Sequence, residues 1–398
     1  MIKKLLITIL LMFALVSNSS AIGTIMGANV DGTVPSLLVN IININGPSYT
    51  GSVTANDGSI NCPSVNCYHE YPNNSNPILT ATPNAGASFY GWSGSGCSGT
   101  GTCTVNIANN SNNSYIVNAS FESIPPGINW TSRTSGTINI LYSVTWSGSQ
   151  FVIVGETGTI LTSPDGITWT PRTSGTTNDL YGITWNGSRF VAVGMSGTIL
   201  TSPDGIIWTS RTSGTTNYLN GITWSGSQFV AVGMSGTILT SPDGITWIPR
   251  TSGTTLFLYG ITWSGSQFVA VGDIGTILTS PDGITWTPRT SGTTYVLYGI
   301  TWNSSQFVIV DNYGQIFTSP DGITWTPRTS GTTDPLYSIT WNSSQFVTVG
   351  GSGVILTSSD GITWTPRTSG TGYTLHGITW SGSQFVAVGE TGTIITSP

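Results

Sequence analysis

The chain has 398 residues, of which 51 are glycine and 7% are charged, and its formal net charge is −6. An acidic chain without a basic stripe disfavours nucleic acid and anionic lipid as partners. Abundant glycine, together with many Thr, Ser and Trp residues, favours an all-β protein rich in tight turns and argues against helices and charged disordered tails.

Residues 1–21 have the features of a secretory signal peptide. Lys3 and Lys4 precede a short apolar run, residues 5–16, and small residues ending at Ala21 follow it. This order is typical of export signals, and the run is too short to span a bilayer; a buried N-terminal strand is the alternative. We expect a secreted or cell-surface protein with no transmembrane segment. The remaining chain has eight arginines against sixteen acidic residues, a net charge of about −8.

Residues 22–121 form a separate predicted domain that contains all four cysteines. Alternating runs at 37–44, 48–55, 78–83 and 114–121 predict strands separated by turn residues, and Trp92 is expected in the core. An even, clustered cysteine set in an exported protein predicts two disulfides. Three pairings are possible; local spacing favours Cys62–Cys67 and Cys97–Cys103. A zinc site made by all four thiolates is the competing interpretation.

The same region resembles a known family. The order of Cys62–Cys67, Leu79–Pro83 (LTATP), Phe89–Gly94 (FYGWSG) and Cys97–Cys103 resembles the divergent internalin-B-type B-repeat modules of bacterial surface proteins, over roughly residues 50–121. The resemblance implies a small, mostly β extracellular module that serves as a spacer or adhesion unit and has no catalytic role. Residues 122–127, with two consecutive prolines, are the predicted linker.

From residue 126 to residue 398 the chain repeats every 39 residues, which makes seven units. The run Thr162–Trp169 (TSPDGITW) marks each unit, and in the first unit Pro126 takes the place of the Asp. The repeated acids are Asp165, Asp204, Asp243, Asp282, Asp321 and Asp360, and the tryptophans four residues later are Trp169, Trp208, Trp247, Trp286, Trp325 and Trp364.

Each unit predicts four short strands joined by turns. In the unit 180–218 the predicted strands are 180–185, 189–194, 197–202 and 206–211. Seven such units at 128–398 predict a seven-bladed β-propeller of four-stranded antiparallel blades, with a linear solenoid as the alternative. The first unit starts with a fourth strand, 128–133, and the last unit ends with a third strand, 392–397, so ring closure would complete the seventh blade.

The Asp-Gly turn resembles the Asp-box (BNR-like) repeat of sialidases, sortilin-type receptors and photosystem II stability-factor-like propellers. Its Asp-to-Trp spacing is one residue tighter than the usual box. In the turn the carboxylate can accept backbone N–H bonds, Gly supplies a positive φ and Trp packs between blades, so we assign these residues a structural role.

Sequence differences between the seven units concentrate in two connections, the turn between the second and third strands and the connection between blades. In a four-stranded meander both lie on one face. In six units a Tyr or His follows the connection between blades, and in the remaining unit Asn220 occupies this position. The predicted ligand-binding residues on this face are Tyr142, Tyr181, Tyr259, Tyr298, Tyr337, His376, Glu156, Asp273, Asn312 and Glu390. Tyrosines around a central opening suit stacking on sugars or contact with a peptide, and drift in surface loops is the alternative.

Three functions are compatible with these patterns. We favour a non-enzymatic, monomeric binding protein for a glycan or extracellular protein, with no cofactor and no metal. A glycoside hydrolase or lyase would use Glu156 and Glu390 as its carboxylate pair; with His376 they could also form a weak metal site. A photosystem-stability-type assembly protein is the third hypothesis. The arginine cluster of a sialidase is missing, because seven of the eight arginines occupy one repeated position on the outermost strand.

Overall fold

A computed structural model describes residues 35–44, 51–63, 66–84, 87–108, 114–123 and 126–398. The predicted signal peptide lies outside these residues. The chain divides into two compact units, Met1–Ile124 and Pro125–Pro398. Strands dominate both units, and in the described part of the chain helix is confined to single 3₁₀ turns, so the all-β prediction is confirmed.

The N-terminal unit has two four-stranded sheets among its described residues. Its strands are β1 (Ser36–Asn43), β2 (Gly51–Ala55), β3 (Asn61–Cys62), β4 (Cys67–Glu70), β5 (Ile78–Pro83), β6 (Ala87–Ser93), β7 (Cys103–Thr104) and β8 (Ser114–Ser123). The sheet orders are β4-β1-β8-β6 and β3-β2-β5-β7, with β1 and β8 parallel. Alternate residues of β1 are buried, which places Leu37 and Val39 in a core with Phe121 and Trp92.

Both favoured disulfides are present. Cys62 is bonded to Cys67 and Cys97 to Cys103, and no described cysteine is free, so the zinc interpretation is wrong. A unit of about a hundred residues buries limited apolar surface, and such cross-links stabilise it by restricting the unfolded chain.

Several predicted boundaries in this region need correction. Strand β8 continues to Ser123 because Glu122 pairs with Ser88 of β6. Gly127 is buried and donates its N–H to Ser397 Oγ at 2.9 Å. The predicted linker, 122–127, is therefore partly strand at one end and partly bonded to the repeat region at the other. Strands β3, β4, β6 and β7 were not predicted; β3 and β7 have only two residues each, and β6 contains Gly91, which resembles a turn signal in the sequence.

The C-terminal unit contains seven four-stranded antiparallel sheets, each a meander of first, second, third and fourth strands. The first strands are Leu141–Trp146, Leu180–Trp185, Leu219–Trp224, Leu258–Trp263, Leu297–Trp302, Leu336–Trp341 and Leu375–Trp380. The second strands are Phe151–Gly155, Phe190–Gly194, Phe229–Gly233, Phe268–Gly272, Phe307–Asp311, Phe346–Gly350 and Phe385–Gly389. The third strands are Ile160–Ser163, Ile199–Ser202, Ile238–Ser241, Ile277–Ser280, Ile316–Ser319, Ile355–Ser358 and Ile394–Ser397. The fourth strands are Thr170–Arg172, Thr209–Arg211, Ile248–Arg250, Thr287–Arg289, Thr326–Arg328, Thr365–Arg367 and, from the N-terminal end of the unit, Thr131–Arg133.

Single 3₁₀ turns join the second and third strands in six of the sheets. They are Glu156–Gly158, Met195–Gly197, Met234–Gly236, Asp273–Gly275, Gly351–Gly353 and Glu390–Gly392. Repeated four-stranded antiparallel sheets of this kind are typical of a β-propeller, as the repeat predicted.

The core of this unit lies between consecutive sheets. All residues of each second strand are buried because one neighbouring sheet covers each of its two faces. Each apolar cluster joins two sheets; Val152 and Ile160 of the first sheet pack with Phe190 and Leu200 of the second. A cluster of the same type joins the last sheet to the first, through Val386 and its neighbours.

The third and fourth strands are shorter than the sequence predicts. Gly197 has a φ of +68° and belongs to the 3₁₀ turn, so the third strand starts at Ile199 and not at residue 197. Ile206 and Ile207 donate their N–H groups to the Asp204 carboxylate, so the fourth strand starts at Thr209. In both places the residues that the sequence analysis assigned to a strand belong instead to the turn before it.

Candidate functional site

The repeated Asp carboxylates form the turns between third and fourth strands. Asp165 Oδ1 accepts bonds from the N–H groups of Ile167 (2.8 Å) and Thr168 (2.9 Å) and from Ser163 Oγ (3.0 Å). These backbone donors, Thr168 first, lower the pKa of the Asp165 carboxyl. Trp169 Nε1 donates to Gly166 O at 3.2 Å. The other five turns repeat this geometry, and Trp130 makes the corresponding bond to Gly127 O.

The side of the sheets that carries the repeated Asp-Gly turns is uniform. The residue immediately before each second strand donates a side-chain hydrogen bond to a backbone carbonyl in the Asp-Gly turn of the next sheet. In the first sheet Gln150 Nε2 donates to Asp204 O at 2.7 Å. The remaining pairs are Arg189–Asp243, Gln228–Asp282, Gln267–Asp321, Gln306–Asp360, Gln345–Pro126 and Gln384–Asp165. One repeated contact therefore links every sheet to the next.

The arginines of the fourth strands bond within their own sheets. Arg172 Nε donates to Thr162 Oγ1 of the third strand at 2.9 Å. The equivalent arginines are Arg133, Arg211, Arg250, Arg289, Arg328 and Arg367. They are distributed over the outer strands of seven sheets and do not form the arginine cluster of a sialidase.

The two connections that vary between units contact one another. The N–H of Glu156 donates to Ile140 O at 2.8 Å, and Asn139 Nδ2 donates to Thr157 Oγ1 at 2.8 Å. Thr157 N in turn donates to Asp179 Oδ1, on the next connection, at 2.8 Å. We call the surface formed by these two sets of connections the variable face.

At the base of the variable face, one residue of each first strand occupies a β-bulge. The register between first and second strands shifts at this residue; in the first sheet Leu141 pairs with Gly155 and Ser143 with Val154, so Tyr142 is left unpaired. The bulged residues are Tyr142, Tyr181, Asn220, Tyr259, Tyr298, Tyr337 and His376. A bulge re-aims a side chain away from the regular pleat, and bulges are frequent beside functional sites.

Six of these side chains form a continuous series of ring contacts, which we call the aromatic arc. Its consecutive centroid distances are Tyr259–Tyr298 5.1 Å, Tyr298–Tyr337 5.0 Å, Tyr337–His376 5.2 Å, His376–Tyr142 5.6 Å and Tyr142–Tyr181 5.2 Å. The planes are tilted or edge-on, an arrangement that aromatic pairs prefer. The arc is interrupted at Asn220, whose Nδ2 donates to Leu258 O at 2.9 Å.

Partial burial and nearby carboxylates define the electrostatics of the arc. Burial is the main cause that raises the pKa of the Tyr142 and Tyr181 hydroxyls to about 12, and the charge of Asp179 adds to it at both. Glu156 contributes further at Tyr142. Burial followed by the charge of Asp273 raises the pKa of Tyr259 as well.

Burial, then the charge of Glu390, raises the pKa of Tyr337. His376, whose ring contacts that of Tyr337, is half-buried, and its Nε2 atom has no hydrogen-bond partner. Burial lowers the pKa of this imidazole and Glu390 partly opposes the shift, so the ring is neutral at neutral pH.

Glu156 and Glu390, the predicted catalytic pair, both contact backbone. Glu156 Oε2 accepts a bond from Ile140 N and Glu390 Oε2 one from Thr374 N, each at 3.2 Å. Asn312 makes the same contact with Val296 N at 3.0 Å. Because an uncharged amide serves equally well, this contact explains the three residues without acid–base chemistry.

Metal binding receives no support from this surface. In the described residues no group of three or more His, Cys, Asp and Glu side chains could hold a metal ion, so the structure does not assemble Glu156, Glu390 and His376 into the predicted weak metal site.

Two acidic residues were missed, one on the variable face and one buried beneath it. Asp179 lies within a connection whose variation was noticed, two residues before Tyr181, but its proximity to Tyr142 arises only in the folded structure. Asp311 stands where the other second strands end in Gly, and that difference between units was a readable signal. It is fully buried, and its Oδ1 accepts bonds from Tyr313 N (2.8 Å) and Gln315 N (2.7 Å).

Open grooves run along the outer strands beside the connections between sheets. One of about 720 Å³ is lined by Ile277, Arg289 and Tyr295, and one of about 790 Å³ by the equivalent Ile238, Arg250 and Leu256. Because the groove recurs with the repeat, its presence needs no ligand to explain it.

Part of the chain matches a known family. Residues 49–125 match the model of the Divergent InlB B-repeat domain, in agreement with the resemblance of the N-terminal region. No curated protein matches the chain. The described part of the chain contains no helix with the length and apolarity needed to cross a membrane.

Solved structures with a similar fold are propellers of different functions. YCF48 from Cyanidioschyzon merolae is 18% identical with a TM-score of 0.56, over 67% of this chain and 98% of that one. YCF48 bound to D1 peptide is 19% identical with a TM-score of 0.58, over 67% and 96%. A catalytically inactive virginiamycin B lyase from Staphylococcus aureus with quinupristin is 14% identical with a TM-score of 0.59, over 68% and 99%. At such identities the likeness establishes a propeller-type fold and leaves function to the site.

Proposed function

We propose that this chain is an exported, non-enzymatic binding protein that recognises an extracellular protein or glycan through its variable face. Two disulfides and a match to the B-repeat domain favour an extracellular location, since disulfides persist in oxidising compartments. The predicted signal peptide and a monomeric state belong to the same proposal.

We further propose that the seven sheets form a closed propeller that presents this face on a rigid scaffold. Strand Thr131–Arg133 pairs with Ile394–Ser397, and Gln384 Nε2 donates to Asp165 O at 2.7 Å, which joins the last sheet to the first. Closure completes the last sheet, covers the sheet faces that an open array would expose at its two ends, and positions the seven bulged residues around one centre.

The observation that carries the proposal is the aromatic arc. Six aromatic side chains lie at successive β-bulges and contact one another, while the sequence around them varies between units. Half-buried tyrosines combine flat apolar faces with polar hydroxyl groups, and interfaces are enriched in such residues. The uniform side of the sheets has no comparable variation from unit to unit.

The alternative of a glycoside hydrolase or lyase is less well supported. Its two carboxylates, on Glu156 and Glu390, accept backbone N–H groups as Asn312 does. The substitutions E156Q and E390Q retain an acceptor for these bonds. Loss of turnover with retained binding in these variants would favour the enzyme over the binding protein.

The assembly-protein alternative shares with our proposal the recognition of a protein segment. A fold neighbour, YCF48, has been captured with a D1 peptide, so a propeller of this type can hold a peptide. The match covers 67% of this chain and 96–98% of YCF48, so about a third of the present chain has no counterpart in that neighbour.

The proposal is tested by screening the full exported chain on glycan and peptide arrays. The test variant replaces Tyr259, Tyr298 and Tyr337 by Ala, and the control replaces Tyr90, an exposed tyrosine of the N-terminal unit that is not on the variable face. We expect binding that the triple variant loses and the Y90A control keeps. Binding that survives in the triple variant would contradict a role for the arc.

A further inference from the structure

One sector of the aromatic arc is bordered by three carboxylates. The sector consists of Tyr337, His376, Tyr142 and Tyr181, with ring centroids 5.2–5.6 Å apart. Beside it lie Glu390, Glu156 and Asp179. We call these seven residues the acidic sector.

Hydrogen bonds hold each of these carboxylates in place. Glu156 Oε2 accepts Ile140 N at 3.2 Å, in the connection that leads directly to Leu141 and Tyr142. Glu390 makes the same bond to Thr374 N at 3.2 Å, before the strand of His376. Asp179 Oδ1 accepts Thr157 N at 2.8 Å. An ionised carboxylate has two oxygens and about four acceptor sites, so one such bond leaves capacity for a ligand.

The positive charges of the chain are placed elsewhere. Lysine occurs only at positions 3 and 4 of the sequence. The repeated arginines bond to threonines of the outer strands, as Arg172 does, and Arg189 donates to Asp243 O on the uniform side. The charges that act on the Tyr142 and Tyr337 hydroxyls come from acidic residues. The acidic sector therefore combines negative charge with aromatic faces and holds no cation of its own.

We propose that the acidic sector binds a cationic side chain, arginine or lysine, of an extracellular protein partner. The partner's guanidinium or ammonium group would contact the aromatic rings of the sector and pair with its carboxylates. An aromatic ring attracts a cation placed over its face, and a guanidinium can stack on the ring while its N–H groups reach a carboxylate. A neutral His376 does not repel such a group at neutral pH.

This inference rests on the proposed function and specifies its partner. Sugars also stack on tyrosine, but a neutral glycan does not need three carboxylates at one place, and an anionic glycan would be repelled by them. The arc extends across several sheets, which suits a protein segment that presents its basic side chain together with neighbouring residues.

The test uses the full exported chain and short fluorescent Gly/Ser peptides that carry arginine, citrulline or glutamate, with binding followed by anisotropy. Citrulline has the shape of arginine without the charge. The test variant is E156Q/D179N/E390Q, in which every substituted amide keeps an acceptor for its backbone bond. The matched control, D282N/D321N/D360N, changes the net charge equally on the uniform side and also keeps its turn acceptors.

We expect the arginine peptide to bind at least about tenfold more tightly than the citrulline peptide, with no binding of the glutamate peptide. The test variant should lose about tenfold in affinity for the arginine peptide, and the control should remain within about twofold of the unsubstituted chain. Y142L should weaken binding by removing the π face, while Y142F should retain most of it.

Two outcomes would overturn the inference. One is no binding of the arginine peptide at concentrations up to about 1 mM, and the other is equal loss of affinity in the test and control variants. If arginine and citrulline peptides bind equally well and Y142L abolishes both, the face is a binding site but not one for cations; the proposed function would then stand and this inference would be wrong.

Discussion

At the residue scale, one carboxylate oxygen organises each of the repeated Asp-Gly turns. Asp243 Oδ1 accepts bonds from Ser241 Oγ, Ile245 N and Thr246 N at 2.8–3.0 Å. Bonds from backbone N–H groups to an ionised carboxylate favour the charged form, which explains the lowered pKa of this exposed carboxyl. The stabilisation of the folded state by these bonds is fully present above the unfolded-state pKa near 3.8, and it is lost as the pH falls through the lowered folded-state pKa.

The substitution D243A removes an acceptor from three donors, so we expect it to destabilise the repeat unit by roughly 1–2 kcal/mol. D243N keeps an oxygen in the same position and should lose less. Thermal unfolding of the full chain, followed by calorimetry, measures both. Equal midpoints for D243A and the unsubstituted chain would show that the turn does not depend on the carboxylate.

The Asp311 carboxyl makes folding stability depend on pH in the opposite direction. Burial raises the pKa of its carboxyl above the ordinary value of 3.8, while the N–H groups of Tyr313 and Gln315 oppose the shift. Between the unfolded and the raised folded-state pKa the native protein binds more protons than the unfolded chain, so stability falls as the pH rises through this window.

We therefore expect D311N to be more stable than the unsubstituted chain at neutral pH, because an amide carries no buried charge. The difference should shrink as the pH falls through the raised pKa of Asp311, where its carboxyl becomes protonated. Unfolding midpoints measured across this pH range provide the test. Parallel pH profiles for the two proteins would contradict the assignment.

At the scale of the element, the end of each second strand packs tightly against the connection before its own sheet. Met195 N donates to Asp179 O at 2.8 Å, and a Cβ added at Gly194 would lie 1.9 Å from the same oxygen. Six sheets have Gly at this position. In the remaining sheet Asp311 is accommodated, and the turn that follows it is held by its carboxylate and is not a 3₁₀ helix.

The substitution G194A should destabilise the unit by roughly 1–3 kcal/mol, because strand and connection must separate to admit the methyl group. G372A is the matched control, since a Cβ there meets no atom within 4 Å. Urea unfolding of both variants compares them. Equal unfolding midpoints for G194A and G372A would mean that the connection moves to admit the methyl group without a measurable loss of stability.

At the scale of the whole molecule, a strand from before the first sheet completes the last one. Thr131–Arg133 pairs with Ile394–Ser397, and Trp130 packs against the apolar cluster between the sixth and seventh sheets. The Gln345 amide donates to Pro126 O, so this short segment also receives the contact that links consecutive sheets.

A variant that begins at residue 134 should therefore be less stable than one that begins at residue 126. The deletion removes a buried face of Trp130 and a strand pairing, and we expect a loss of at least about 3 kcal/mol. Denaturant unfolding of the two truncated chains, with resistance to proteolysis as a second readout, measures the difference. Similar midpoints would argue against a closed ring.

The sequence by itself determined the local design of the protein. The 39-residue period, the four strands per unit and the Asp-Gly turns could be read from it, and local spacing favoured, among three possible pairings, the Cys62–Cys67 and Cys97–Cys103 bonds that are present. These features depend on hydrogen bonds and cross-links between residues a few positions apart, which leave a direct pattern in the chain. Strand ends were less accurate, because turns and ladders compete for the same N–H groups.

Only the tertiary structure decided how the candidate site is assembled. Each contact of the aromatic arc joins residues at least 39 positions apart, and the His376–Tyr142 contact joins the last sheet to the first. The bulges that place these side chains, the proximity of Asp179 to Tyr142 and the backbone bonds of Glu156 and Glu390 all depend on how neighbouring sheets and connections pack. No short-range pattern encodes such packing, since it is set by the summed burial of apolar side chains between sheets.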